Sequence, residues 1–202
     1  MPSTFSSLFG RAVLFAFRWK TVGEAPPHPR YVLLAAPHTS NWDFVFSRAT
    51  FWKHKVPLHW VGKHTLFEGF FGPIFRAMGG IPIDRRARQN MVADLAARFQ
   101  AEEKFVLAVS VEGTRKRCEY WRSGFYHIAR AANVPVVLGA LDFSKREATL
   151  GPAIFLTGDI KADMDRIRGF YADKVGRNPE WFGPIRLKDE DPAAASGSDT
   201  SD

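Results

Sequence analysis

The sequence predicts a single α/β domain built on a largely parallel, mixed sheet flanked by helices, preceded by an N-terminal amphipathic helix. Three observations carry this. Short continuous apolar runs, YVLLAA (31–36), FVLAVSV (105–111) and VPVVLGALDF (134–143), have the length and β-branched content of strands buried on both faces. Segments with helical spacing separate them, as in NMVADLAARFQAEEK (90–104), where Met91, Leu95 and Phe99 share a face. Polar turns containing Gly or Pro mark each change of period.

Taken in order, residues 5–19 read as a helix with Phe5, Leu8, Phe9, Ala12, Phe15, Ala16 and Trp19 on one face. Ser7, Arg11 and Arg18 fall on the other. Two readings stand: a helix lying in a membrane interface, or one packed on the domain. The segment is too interrupted by charge for a membrane span, which needs roughly 20 apolar residues, and it lacks a signal-peptide cleavage pattern. GEAPPHPR (23–30) is a connector that cannot continue a helix. After the strand at 31–36, a helix starts at Ser40 or Asn41, both good caps, and runs through Phe51. LHWVGK (58–63) is a second strand, and residues 67–86 are Phe- and Gly-rich, ending in a short strand at 81–83. SGFYHIARAAN (123–133) is helical, residues 144–157 form a hairpin, and a last helix covers 159–175. This gives a helix-bearing segment 1–22, a domain 23–188 and an acidic tail 189–202 with no apolar surface to order it.

Hydrophobic content of 46% and charged content of 24% fit a folded globular chain rather than a disordered one. Cys118 is the only cysteine, so there is no internal disulfide and no cysteine-rich zinc site. Up to Lys188 the chain has 28 basic residues against 16 acidic ones, a net +12. A body so basic expects an anionic partner: nucleic acid, a membrane surface or a phosphorylated substrate.

Three stretches at strand ends carry chemistry. In LLAAPHTSNWDF (33–44), His38 and Asp43 flank a strand-to-helix turn that can bring them together. A carboxylate on one ring nitrogen fixes the tautomer and frees the other as a base, although a capping aspartate beside an unrelated histidine gives the same pattern. In GGIPIDRR (79–86), Arg85 and Arg86 are either solvated or phosphate-binding. In VSVEGTRKR (109–117), Gly113 admits close backbone approach, Thr114 can donate and Arg115 can neutralise an anion. Glu112 can accept from a substrate hydroxyl or orient Arg115. His54, His59 and His64 share no helix face and suggest no metal site, and Ser110 lacks the G-x-S-x-G context of a hydrolase. Lys116, Arg117 and Arg122 would favour a thiolate at Cys118, yet no histidine pairs with it. The chain has no P-loop and no dinucleotide fingerprint.

The motifs gain specificity as an ordered set: PHTSNWD, then GKHTLFEGFFGPIFRAMGGIPIDRR, VEGTR and NVPVV. Over residues 30–160 this resembles the phospholipid/glycerol acyltransferase family, which includes 1-acyl-sn-glycerol-3-phosphate acyltransferases. The resemblance implies a glycerophosphate-acyltransferase-like fold that moves a fatty acyl group from an acyl-CoA or acyl-carrier-protein thioester to a hydroxyl of a lysophospholipid. These thioesters are co-substrates, and no cofactor or metal is implied. By the same resemblance His38 is the base and Asp43 its support, with Arg85 and Glu112, Gly113, Thr114 and Arg115 binding the acceptor. Lys63 matches a lysine between the blocks. The alternatives are a hydrolase using the same base on water, or a non-catalytic basic module for anionic lipid. Nucleic acid is disfavoured, because the arginines cluster at strand ends rather than in a stripe interleaved with aromatics. The expected location is cytoplasmic, peripheral on the inner face of the cell membrane. Phe67, Phe70, Phe71 and Phe75 are either walls for an acyl chain or membrane, or ordinary core.

Overall fold

Seven strands hydrogen-bond in the order β1-β7-β6-β2-β5-β3-β4 in the computed structural model, which describes residues 3–83 and 88–191. They are β1 (Lys20–Val22), β2 (Arg30–Ala35), β3 (Leu58–Lys63), β4 (Gly80–Ile83), β5 (Phe105–Ser110), β6 (Val136–Asp142) and β7 (Glu147–Ile154). Strands β6, β2, β5, β3 and β4 run parallel, β7 returns antiparallel to β6, and β1 runs with β7. The central strands are buried on both faces, as their unbroken apolar runs require: every residue of β6 is buried.

Six helices among the described residues complete the layers: α1 (Thr4–Ala16), α2 (Trp42–Lys53), α3 (Gly72–Ala77), α4 (Arg88–Ala101), α5 (Gly124–Ala132) and α6 (Ile160–Tyr171). Helices α4, α5 and α6 cover one face of the sheet, where Leu95, Phe99, Phe125, Met164 and Ile167 pack on Val32, Leu34, Leu107 and Leu138. The alternate strand residues Tyr31, Leu33, Val106 and Val137 face Phe51 of α2 on the other side. Burial also hides a polar anchor. The Tyr171 hydroxyl lies 3.2 Å from the Leu34 carbonyl and 3.1 Å from that of Gly139, tying the end of α6 to β2 and β6.

Four short elements escaped the sequence reading: the three-residue β1, the 3-10 turn His64–Phe67, α3 and the 3-10 turn Pro179–Trp181. All are too short to carry a period. The first residues of the expected tail are ordered. Lys188–Glu190 forms a 3-10 turn, because Glu190 lies 2.7 Å from Arg168 and caps Leu187; residues 192–202 are outside the described ones.

The N-terminal helix departs from its expected faces. It packs on α2 through its small residues, with Ser7, Gly10 and Leu14 buried, and Ser7 belonged to the expected polar face. Trp19 lies beyond the helix and stacks on Phe46 with ring centroids 4.2 Å apart. Phe5, Leu8 and Phe15 point away from the body, and Phe15 is 86% exposed. The Phe-rich run also divides: Phe67 is buried and Phe75 packs near it, whereas Phe70 and Phe71 are exposed. Among the described residues, no helix is long and apolar enough to cross a membrane.

A Cβ on Gly10 would sit 2.5 Å from the Ala49 carbonyl oxygen of α2. Gly10→Val should therefore lower stability in urea by about 1–3 kcal/mol, as overpacking does. Phe15→Ala should change it by under about 0.5 kcal/mol. Equal effects of the two substitutions would contradict this packing of α1.

Candidate active site

Ala35 closes β2 and Ser110 closes β5, and the two are register partners in adjacent parallel strands. The segments that follow them emerge side by side at the carboxyl edge of the sheet, where ligands of open α/β sheets gather. After β2 come a cis Ala36–Pro37 peptide and His38; after β5 come Val111 and the Glu112–Arg115 turn.

The turn into α2 is built by its own side chains. The Ser40 amide donates to Asp43 Oδ2 at 2.8 Å, and the Trp42 amide donates to Ser40 Oγ at 3.0 Å. Serine and aspartate three residues apart thus satisfy open helix-end donors. Asn41, expected as a cap, makes no such bond. The same Asp43 oxygen stands 3.1 Å from His38 Nδ1, with Asp43 buried and His38 partly exposed. An Nδ1–H directed at this carboxylate leaves Nε2 with a free lone pair.

Among the described residues Glu112 makes no hydrogen bond or ion pair with Arg115, one of the two roles foreseen for it. It is 2% exposed, and its Oε2 accepts the His38 backbone N–H at 2.6 Å. Burial pushes its carboxyl up to about 8; the His38 amide opposes this and the nearby Asp43 charge adds to it. Gly113 follows at φ +67°, a conformation that costs glycine little, and a Cβ there would meet Arg122 Cγ at 3.1 Å. Thr114 is exposed, and its hydroxyl accepts from the Lys116 amide at 3.2 Å. Arg115 reaches across to donate to Asn41 Oδ1, between His38 and Asp43 in the chain.

The structure thus brings together His38, Asp43, Glu112 and Arg115. Lys63 lies exposed at the carboxyl end of β3, two strands from β2, and among the described residues no hydrogen bond or ion pair joins it to His38. Arg85 and Arg86 fall outside the described residues. Cys118 departs from expectation: burial pushes its thiol up, Glu112 adds to that, and Arg122 and Arg117 only partly offset it. No cluster of three or more His, Cys, Asp or Glu that could hold a metal occurs among the described residues.

The sequence reading missed a fourth contributor, the loop after α6. The Asn178 side-chain amide donates to the Thr39 carbonyl at 2.8 Å, and the Asn178 backbone amide lies 3.2 Å from Thr39 Oγ1. Gly176 is packed so tightly that a Cβ would fall 2.8 Å from Thr39 Oγ1 and 3.0 Å from Pro37 Cβ. The Phe143 amide, just past β6, donates to the Val175 carbonyl at 2.9 Å and fixes the loop from its other side. In sequence VGRNP reads only as a Gly/Asn/Pro loop, with no sign of what it touches.

A family model described as Acyltransferase matches residues 20–138, more than half of the chain, and the chain belongs to that acyltransferase family. No curated protein matches the sequence. Among solved structures the chain is similar to the 1-acyl-sn-glycerophosphate (LPA) acyltransferase PlsC from Thermotoga maritima, at 13% identity with a TM-score of 0.55. That likeness covers 85% of this chain and 80% of the other, and at this identity it speaks for the fold.

The raised Glu112 pKa has a consequence for stability. From about 4.5 to about 8 the folded state keeps a proton that the unfolded chain has lost. Stability from this group is full below that window and falls as pH rises through it, by up to about 1.4 kcal/mol per pH unit. Glu112→Gln still offers an oxygen to the His38 amide but cannot ionise. Urea denaturation between pH 5 and 8.5 should show a flatter profile for the variant than for the unaltered protein. Parallel profiles would contradict a neutral, buried Glu112.

Proposed function

We propose that the chain transfers a fatty acyl group from an acyl-CoA or acyl-carrier-protein thioester to a hydroxyl of a glycerophospholipid precursor such as lysophosphatidic acid. The observation that carries this reading is the His38–Asp43 pair: a partly exposed imidazole with Nδ1 3.1 Å from a buried carboxylate, at the carboxyl edge of the sheet. His38 Nε2 takes the proton of the acceptor hydroxyl as that oxygen attacks the thioester carbonyl. The C–S bond then breaks, and the departing thiolate receives the proton from the imidazolium. Asp43 holds the ring and stabilises its charge between the two transfers. The thioester is already activated, so no acyl-enzyme is required. Arg115 and Arg85 supply cationic donors for the acceptor's phosphate, and Gly113 and Thr114 shape the turn beside it. Glu112 acts through the backbone, holding the His38 amide.

The same reading puts the protein on an anionic membrane surface at the inner face of the cell membrane, where a lipid acceptor is found. Two exposed apolar patches support it: the outer face of α1, and Leu66, Phe70, Phe71 and Ile74 around α3. A groove of about 200 Å³ lined by Phe9, Val13, Trp52 and Met78 runs between α1, α2 and the residue that follows α3. Apolar side chains on a body of net +12 suit an interfacial mode of binding.

With labelled acyl-CoA and lysophosphatidic acid, His38→Ala should lower turnover roughly 10²–10⁴-fold while the fold survives. Undiminished turnover would remove His38 as base, and free fatty acid formed without an acceptor would assign the chemistry to water instead. Replacing Phe5, Leu8 and Phe15 together by Ser spares the packed face of α1. It should reduce sedimentation with anionic vesicles, as should high salt in the unaltered protein. Equal sedimentation of the triple variant would show that α1 is not the contact.

A further inference from the structure

Arg177 stands in the loop that clamps the catalytic turn, beyond the segment matched by the family model. Its neighbours on both sides are fixed: Gly176 against Pro37 and Thr39, Asn178 by hydrogen bonds to Thr39. Its backbone is therefore held within one residue of groups that flank His38. The guanidinium carbon lies 5.9 Å from the ring centroid of Trp42 and 5.9 Å from that of Phe143. Trp42 belongs to the catalytic turn, immediately before Asp43, and is itself partly exposed.

Three cations of this part of the fold have acidic partners: Lys174 and Lys145 pair with Asp173, and Arg168 with Asp165 and Glu190. Arg177 is exposed, and among the described residues no carboxylate forms an ion pair with it. A guanidinium held over aromatic rings uses its face, while its five donors lie in its plane and stay open. Arg115 in turn donates to Asn41, the residue before Trp42. Two guanidiniums thus border consecutive residues between His38 and Asp43.

We propose that Arg177 is an anion-binding residue of the active site, held by Trp42 and Phe143 so that its donors take a phosphate group of a substrate. This rests on the acyltransferase reading above. The chemistry it recognises, phosphate oxygens, occurs both in a lysophosphatidic acid acceptor and in the coenzyme A part of a donor.

Equilibrium binding by calorimetry to the full chain separates the sources, using short-chain lysophosphatidic acid, coenzyme A and the matching phosphate-free monoacylglycerol. In Arg177→Ala, affinity for one of the two phosphate ligands should fall about ten- to a hundredfold, the loss expected for a charge-assisted contact. The ligand affected identifies whose phosphate is held. Monoacylglycerol binding should not change, and Arg177→Lys should restore only part, because it keeps the charge without the fork. If both phosphate ligands bind the Ala variant as tightly as the unaltered protein, or if the unaltered protein binds neither, the proposal is overturned. Acyl transfer measured in parallel separates the two readings. A chain that binds phosphate through Arg177 yet transfers no acyl group contradicts the catalytic reading alone. Normal transfer kinetics in Arg177→Ala, with unchanged binding, contradicts this inference alone.

Discussion

The parallel pairing of β2 with β5 is the constraint from which the candidate site follows. Six residues pair in strict register, from Arg30 with Phe105 to Ala35 with Ser110. The pairing is locked because both strands are buried on both faces, where a slip of one residue would exchange the two apolar sets. Since the strands end together, His38 and Glu112, 74 residues apart in sequence, meet at hydrogen-bond distance. No loop has to find its partner across open space. The sheet delivers both segments to one edge.

On that edge the turn from His38 to Asp43 is held from several directions. Ser40 and Asp43 close it on itself, Glu112 grips the His38 amide, and Asn178 with Gly176 press on Thr39 and Pro37. The loop that carries Asn178 is in turn set by Tyr171 at the end of α6 and by the Phe143 amide. For the base proposed above, being held in this way lowers the reorganisation needed during reaction, which is where positioning gains rate. It also explains a buried Glu112. Its carboxyl is raised by burial and by Asp43, and a neutral side chain there leaves Asp43 as the charge facing His38.

Much of this was legible in the sequence, for identifiable reasons. Strands β2, β5 and β6 announce themselves as short apolar runs, and the helical period fixed α4, α5 and α6 to within a few residues of their ends. The His38–Asp43 and Glu112–Arg115 stretches were visible because each follows a buried strand directly. Three kinds of fact stayed hidden. Strand β1 and helix α3 have too few residues to show a period. The inward face of α1 is set by how closely two backbones approach, so small residues win it and the phenylalanines turn outward. Asn178 and Arg177 sit more than 130 residues from the turn they touch, and only tertiary structure reveals the contact. The contact of Glu112 with the His38 amide was also hidden, because a charged residue in a polar turn gives no sign of its burial.

The proposed chemistry turns on Asp43 setting the tautomer of His38 so that Nε2 is the free base. Nitrogen-15 NMR of the imidazole reads this directly, above the pH at which the ring is protonated. His38 should carry its proton on Nδ1, and Asp43→Ala should remove this preference. A His38 protonated on Nε2, or a tautomer mixture indifferent to Asp43, would contradict it.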